Sequence, residues 1–284
     1  MTEHRPPDRR LVRIGAIAGI AGSLLAMVGN LLHPQTPTGD PLGVAEAIAG
    51  SAIWMPVHLT IVFGLILMLG GLVAIYDAIT AEPARALARL GYIAAVCGIT
   101  VGLVLVILDG LSAKHLADAA VVAPPDGRAV ALGLVVVEES INFALVGLFN
   151  ILFAGVTFIL FGLAVVRSRA YPAILGWVVV VAGAGSIIVG VVQGYLGEST
   201  GLTQTLTIIF PTVITAWVVL MGVLLLRRTR RDPGPGEPPY REDGLRSRPD
   251  RDEVDAAPAP TRAPRPERDR GESAEHWAVD GGRR

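Results

Sequence analysis

The sequence predicts an all-α, polytopic membrane protein, with six transmembrane helices in a bundle followed by a disordered C-terminal tail. Of its 284 residues, 52% are hydrophobic and only 17% are charged, whereas about 25% of residues are charged in a soluble domain. More than half of that charge lies in the last fifth of the chain. The rest contains continuous apolar runs, and about 20 such residues form a helix that crosses a membrane. Transmembrane β-barrels instead show short alternating segments.

Six runs have the required length: 11–32, 53–75, 90–111, 140–166, 173–196 and 203–226. The first follows basic residues, as a signal peptide would. Its apolar part is too long for that class, however, and it ends in Gly29-Asn30-Leu31-Leu32-His33-Pro34 without a small-residue cleavage site. We therefore expect the first run to remain as a helix.

Basic residues predict the orientation. One side of the membrane would carry twelve arginines and the other only Lys114 and Arg128. The twelve are Arg5, Arg9, Arg10, Arg13, Arg85, Arg89, Arg167, Arg169, Arg227, Arg228, Arg230 and Arg231. Because basic residues remain on the cytoplasmic side, we expect both termini in the cytoplasm of a bacterial cell, with the protein in its plasma membrane.

Three regions follow: a cytoplasmic segment 1–10, a transmembrane domain 11–228 and a disordered cytoplasmic tail 229–284. The tail is rich in Pro, Arg, Asp and Glu, and such a segment cannot bury enough apolar surface to offset its ordering entropy. It could dock a cytoplasmic protein partner, although an unconstrained tail is the favoured interpretation.

The two long outer connections, 34–52 and 112–139, each contain a short helical pattern. The first covers 42–49, and the second is broken at Pro124-Pro125-Asp126-Gly127. We expect both pieces to lie on the membrane surface or to cap the bundle.

Small residues recur every three or four positions on three of the spans, which predicts close helix packing along those faces. The seams are Gly15, Gly19, Gly22, Ala26 and Gly29; Gly91, Ala95, Gly98 and Gly102; and Gly176, Gly183, Gly190 and Gly194. At regular spacing, the first seam continues to His33 and the second to Asp109. Both residues should therefore face the bundle interior.

Polar residues from five spans would meet at one depth, near the outer end. These candidate ligand or polar-cluster residues are His33, His58, Asp109, Glu139, Asn142 and Gln193. Glu139 and Asn142 share an arc of one helical face, whereas Glu138 points about 100° away from Glu139. Ionisable groups at membrane depth are costly and usually face an interior or a water-filled cavity.

The cluster has several interpretations. Its members could hydrogen-bond across helices and fix their register, which is the favoured interpretation, or they could bind a proton-linked ligand. As a third reading, His33, His58 and Asp109 could hold a divalent metal such as zinc. A haem between His33 and His58 also stays open. No compact catalytic motif is present, and a net charge of −1 offers no attraction for nucleic acid.

Four short motifs carry a resemblance: His33-Pro34, Trp54-x-x-x-His58, Asp109-Gly110 with Lys114, and Tyr171-Pro172-x-x-x-Gly176-Trp177. In this order they resemble a broad group of bacterial six-helix multi-pass membrane proteins of the domain-of-unknown-function type. The resemblance covers about residues 10–228. It implies the grouping of His33, His58 and Asp109, but it implies no activity.

The sequence thus favours a non-enzymatic integral membrane protein with a transport-like, binding or accessory role, whose partner is the lipid bilayer. The alternative is an intramembrane metal-dependent enzyme that uses the His/Asp/Glu cluster. Whether the chain is an enzyme stays open at this point.

Overall fold

The computed structural model describes residues 7–37, 39–196 and 200–231. This part of the chain contains seven helices and no strand, which confirms the all-α prediction. They are α1 (Arg9–Leu32), α2 (Pro41–Gly50), α3 (Trp54–Ala78), α4 (Ala84–Val122), α5 (Pro125–Ser168), α6 (Ala173–Leu196) and α7 (Gly201–Arg231). Two of them change to π-helical hydrogen bonding for a few residues, α4 at Leu108–Ser112 and α5 at Asn150–Thr157.

All helices except α2 are long and apolar enough to cross a membrane, so the predicted six spans are confirmed. The last of them runs to Arg231, three residues beyond the predicted end of the transmembrane domain at 228. The predicted disorder of the tail from 232 onward concerns residues outside the described part of the chain.

The small-residue seams are contacts between helices. The α1 seam packs on α3, and a Cβ atom built on Gly19 would lie 2.6 Å from the Cα atom of Gly71. The α4 and α6 seams both pack on α5, where Gly98 meets Phe153 and Gly183 meets the carbonyl oxygen of Gly155. Helix α5 therefore lies between α4 and α6, and α1 packs closely on α3.

The second outer connection differs from its prediction. Residues 113–122 continue α4, and Pro125 begins α5, so the two helices extend past their apolar spans and meet in a short turn. Helix α2 packs against both extensions. Their shared apolar contact buries Val44, Ala45, Ile48, Trp54, Ala113, Ala117, Ala120 and Val135. We call α2 with these extensions the cap; it comprises parts of the two outer segments that the sequence predicted to lie on the membrane surface or to cap the bundle.

The described arginines other than Arg128 lie at the opposite end of the bundle. There the start of α1 meets the end of α3, because the Asp8 amide donates a hydrogen bond to the Asp77 carboxylate over 2.9 Å. The end of α7 meets the α5–α6 connection through Arg228, whose guanidinium donates to the carbonyl oxygen of Ala170. We call this the arginine end and the capped end the histidine end.

Candidate functional site: a histidine–aspartate cluster

His33, His58 and Asp109 meet at the histidine end, directly beneath the cap, and we call them the His–His–Asp cluster. The Nε2 atoms of the two histidines are 3.2 Å apart. Asp109 Oδ2 lies 3.0 Å from His58 Nε2 and 3.5 Å from His33 Nε2. The predicted approach of these three side chains is therefore present, with one ligand atom from each within reach of a single ion.

His33 occupies the first position after α1. Pro34 follows it, and a residue before proline is driven out of the helical conformation. His33 accordingly has extended backbone angles, φ −63° and ψ 121°, and caps the helix. Its ring folds so that Nδ1 lies 2.9 Å from the carbonyl oxygen of Pro34. The Nε2 atom then faces the cluster.

His58 lies about one turn into α3 and is 1% exposed. Its Nδ1 atom is 2.7 Å from the carbonyl oxygen of Trp54, four residues earlier on the same helix. The Trp54 indole packs against both imidazoles, with ring centroids 5.1 Å from His33 and 4.9 Å from His58. Trp54 thus fixes the orientation of both rings.

Asp109 lies in the π-helical segment of α4. Such a segment frees backbone groups from the regular ladder and is common at functional sites. Here the Trp54 indole N–H donates to the Asp109 carbonyl oxygen over 2.9 Å. Gly110 allows α4 to approach α3 closely, because a Cβ atom at this position would lie 2.5 Å from His58 Cβ.

Hydrogen bonding fixes the tautomers of both rings. A carbonyl oxygen only accepts, so each Nδ1 atom must carry a hydrogen. In neutral imidazole the Nε2 atom is then an acceptor. Three acceptor atoms, two nitrogens and one carboxylate oxygen, consequently face one another at 3.0–3.5 Å. They need a cation between them, either a metal ion or a proton carried by one ring.

The spacing of the three atoms suits a tetrahedral metal ion. With bonds of about 2.0–2.1 Å, as zinc makes to nitrogen and oxygen, neighbouring ligand atoms lie about 3.3 Å apart. The observed separations of 3.2, 3.0 and 3.5 Å bracket this value. The contacts from Nδ1 to backbone carbonyls are the usual second shell of metal-bound histidine. Three protein ligands also leave a fourth position for water or another molecule.

Haem fits poorly between the two histidines. Axial nitrogens on opposite faces of a porphyrin lie about 4 Å apart, twice a typical metal–nitrogen bond, whereas the two Nε2 atoms are separated by 3.2 Å. The Asp109 carboxylate also occupies the space beside both rings.

Asn142 extends the cluster to α5. Its Nδ2 atom donates to Glu138 Oε1 over 2.6 Å and lies 3.4 Å from Asp109 Oδ1. The prediction placed Glu139 in this group, whereas Glu138 bonds to Asn142 and is 8% exposed. Glu139 points about 100° away from Glu138 around the helix and is partly exposed.

Gln193 belongs to a second polar group, which differs from the predicted grouping at one depth. Its Oε1 atom accepts from Asn150 Nδ2 over 3.1 Å, and its Nε2 atom donates to Thr207 Oγ1 over 3.2 Å. Asn150 lies eight residues along α5 from Asn142, which is about 12 Å at the rise of a helix. This second group therefore joins α5, α6 and α7 deeper in the bundle.

The site includes three further residues that the sequence did not predict as its members: Trp54, Gly110 and Glu138. The spacing of four between Trp54 and His58, and again between Glu138 and Asn142, places each pair on one helical face. That spacing was the available signal.

The fold and the cluster together define a polytopic helical membrane protein with a His–His–Asp cluster. No family model matches the chain, and no curated protein and no solved structure gives a match.

Proposed function

We propose that this chain is a membrane protein that binds a divalent first-row metal ion, such as zinc, through His33, His58 and Asp109. Two imidazoles with one carboxylate suit zinc and its neighbours, whereas magnesium and calcium prefer oxygen ligands. The role that the site supports best is non-enzymatic: reversible binding of the ion in a transport-like or accessory protein.

The convergence of three acceptor atoms carries this proposal. Both Nε2 atoms and Asp109 Oδ2 lack a hydrogen in the neutral tautomers, and their separations match those of a tetrahedral ion. Metal binding would replace their mutual repulsion with three coordinate bonds.

The proposed setting is a bacterial plasma membrane, with both termini in the cytoplasm and the cluster at the external end. The twelve-to-two distribution of basic residues supports this orientation. We also propose that the protein is related to the bacterial six-helix multi-pass membrane proteins that its short motifs resemble. In this orientation the ion would reach the site from outside the cell.

Metal analysis of the protein, purified in detergent without chelator and then incubated with zinc, tests the proposal. We expect close to one ion per chain in the unmodified protein and a marked loss in Asp109→Asn. Asp118→Asn is the matched control, because Asp118 lies on the same helix but pairs with Lys114 at 2.5 Å. This control should keep its metal.

Chelator provides a second readout. An ion that binds only the folded state stabilises it by about 2.7 kcal/mol when its concentration is a hundred times Kd. Chelation should therefore lower the thermal stability of the unmodified protein but not that of Asp109→Asn. Absence of stoichiometric metal, with chelator inert, would contradict the proposal and leave a shared proton as the cation. In that case Asp109→Asn should cost only about 1 kcal/mol, the scale of interhelical hydrogen bonds in membranes.

A metal-dependent enzyme is the second candidate, and Glu138 is the observation that favours it. This buried carboxylate bonds to Asn142, which in turn approaches Asp109. In such enzymes the ion activates a water molecule. A carboxylate beside it, here Glu138, would take up the proton.

The catalytic role requires an exchangeable fourth coordination position at the ion. Acetohydroxamate should then bind that position and change the visible spectrum of the cobalt-loaded protein. An unchanged spectrum would contradict the catalytic role.

A further inference from the structure

The arginine end contains two adjoining cavities, far from the His–His–Asp cluster and independent of it. The smaller, about 240 Å³, is lined by Ala170, Tyr171, Pro172, Leu224, Arg227 and Arg228. The larger, about 440 Å³, shares Tyr171 and Arg228 and adds Arg9 at the start of α1 and Ala78 at the end of α3. The two cavities therefore lie among four parts of the fold: the start of α1, the end of α3, the α5–α6 connection and the end of α7.

The lining is basic. Arg9, Arg227 and Arg228 contribute three guanidinium groups, and neither cavity is lined by a described Asp or Glu. Asp8 and Asp77 are close in sequence to lining residues but do not line either cavity; Asp8 accepts from the first-turn amides of α1, and Asp77 accepts from the Asp8 amide. An anion entering this space would thus meet guanidinium groups and no carboxylate among the described lining residues.

Tyr171 gives an independent indication of a ligand. It is 8% exposed and lines both cavities, yet the hydrogen of its buried hydroxyl has no acceptor in the described part of the chain. Arg228 lies over the face of the ring, 4.5 Å from its centroid. Burial raises the pKa of the Tyr171 hydroxyl, and the neighbouring guanidinium opposes this shift. The hydroxyl is therefore neutral and able to donate to an anion.

Arg228 is positioned to share that anion. One of its N–H groups donates to the Ala170 carbonyl oxygen, which ties the guanidinium to the α5–α6 connection. Guanidinium carries five N–H donors in a planar fork, a geometry that matches phosphate oxygens.

The depth of the cavities identifies the source of the anion. The apolar stretch of α7 ends at Leu226, immediately before Arg227, and α3 ends at Ala78. This is the level of lipid headgroups in a protein that spans the bilayer. Exposed apolar side chains continue from here along the bundle, including Leu11, Ile14 and Ile174. They provide a surface for acyl chains.

We propose that these two cavities form a binding site for an anionic phospholipid, whose phosphate is held by Arg228, Arg9 and the Tyr171 hydroxyl. Basic pockets between transmembrane helices are suited to such headgroups. The bound lipid would join α1, α3 and α7 to the α5–α6 connection.

Thermal unfolding of the full chain in neutral detergent, titrated with lipid, tests this site. Phosphatidylglycerol should raise the unfolding temperature, whereas phosphatidylcholine with the same acyl chains and inorganic phosphate should not. Removal of one arginine should weaken the apparent affinity for phosphatidylglycerol about five-fold, the effect of about 1 kcal/mol per basic residue at a membrane surface. We expect this loss in Arg228→Gln and in Arg9→Gln.

Two further variants keep the test decisive. Arg230→Gln is the matched control, because Arg230 is exposed and does not line either cavity, and it should retain the affinity of the unmodified protein. Tyr171→Phe removes a hydroxyl whose hydrogen has no acceptor in the described residues, so it should weaken lipid binding with little change in the lipid-free unfolding temperature. Equal stabilisation by phosphatidylcholine, full stabilisation by inorganic phosphate, or unaltered affinity in both Arg228→Gln and Tyr171→Phe would overturn the proposal.

Discussion

Gly110 shows how a residue without a side chain can control the His–His–Asp cluster. It contacts His58, and any Cβ atom would clash with the Cβ and Cγ atoms of that histidine at 2.5 and 2.7 Å. We therefore expect Gly110→Ala to displace His58 and to lower metal content sharply, although every ligand is still present. Metal analysis of the purified variant measures this loss.

Gly133→Ala is the matched control for Gly110→Ala. Gly133 lies on α5, and a Cβ atom there would have no neighbour within 4 Å. Metal content should be unchanged in this variant. Full metal retention in Gly110→Ala would show that the approach of α4 to α3 does not position the ligands.

Asn142 supports the cluster without supplying a ligand. It donates to Glu138 and approaches Asp109, and outer partners of this kind typically contribute 10–100-fold to metal affinity. We expect Asn142→Ala to weaken zinc binding by about that factor in a chelator competition titration. Ser140→Ala is the control, because the Ser140 hydroxyl bonds only to its own helix at Val136. Complete loss of binding in Asn142→Ala would instead indicate that this residue is a ligand.

His33 and Asp109 were predictable because they continue regular seams, and His58 was predictable because it lies at the same depth near the outer end of its span. The sequence grouped Glu139 with Asn142, and the structure adds Glu138 as the carboxylate that bonds to Asn142. Positions three and four residues before Asn142 both lie near its face of the helix, so spacing alone did not single out Glu138. The membership of Glu139 in the cluster stays a prediction.

At the scale of elements, the α1–α3 contact is sensitive to added volume. Gly19 and Gly71 meet so closely that a Cβ atom on either would lie 2.5–2.6 Å from the backbone of the other. Neither backbone can rotate away, so Gly19→Ala should lower the free energy of unfolding by about 1–3 kcal/mol, as overpacking usually does. Denaturant-induced unfolding in detergent measures this change in the free energy of unfolding.

The control for this seam is Gly194→Ala on α6, where a Cβ atom would have no neighbour within 4 Å. Its stability should be equal or slightly higher, since alanine favours a helix over glycine. A loss in Gly194→Ala as large as that in Gly19→Ala would mean that close packing is not the cause.

The seams were predictable from spacing because lipid offers helices little other reason to associate than close packing and hydrogen bonds. Their partners were not, since a small-residue face fits several neighbours. The π-helical segments were also beyond prediction. Nothing in Leu108–Ser112 breaks a regular pattern, and the interaction that stabilises this segment comes from Trp54, far away in sequence.

At the scale of the whole molecule, hydropathy identified the spans but not the ends of their helices. Residues 113–122 and the first turns of α5 are less apolar than a span, so they were expected to form a connection. They remain helical because they bury one face against α2. Tertiary contact beyond the apolar spans thus extends helices that composition alone would end.

The orientation of the bundle is a separate prediction at this scale. Because basic residues are retained in the cytoplasm, reporter fusions after Arg89 and after Arg231 should both give a cytoplasmic signal. A fusion after Pro125, at the start of α5, should give an external signal. An external signal after Arg231 would reverse the orientation and place the His–His–Asp cluster on the cytoplasmic side.

X-ray absorption spectroscopy of the zinc-loaded protein tests the metal site most directly. We expect a first shell of nitrogen and oxygen ligands at about 2.0–2.1 Å from zinc, with the outer-shell scattering of two imidazoles. The Asp109→Asn variant should lose its bound zinc. Zinc with no imidazole scattering, or with a sulfur ligand at about 2.3 Å, would contradict the assignment of His33, His58 and Asp109 as ligands.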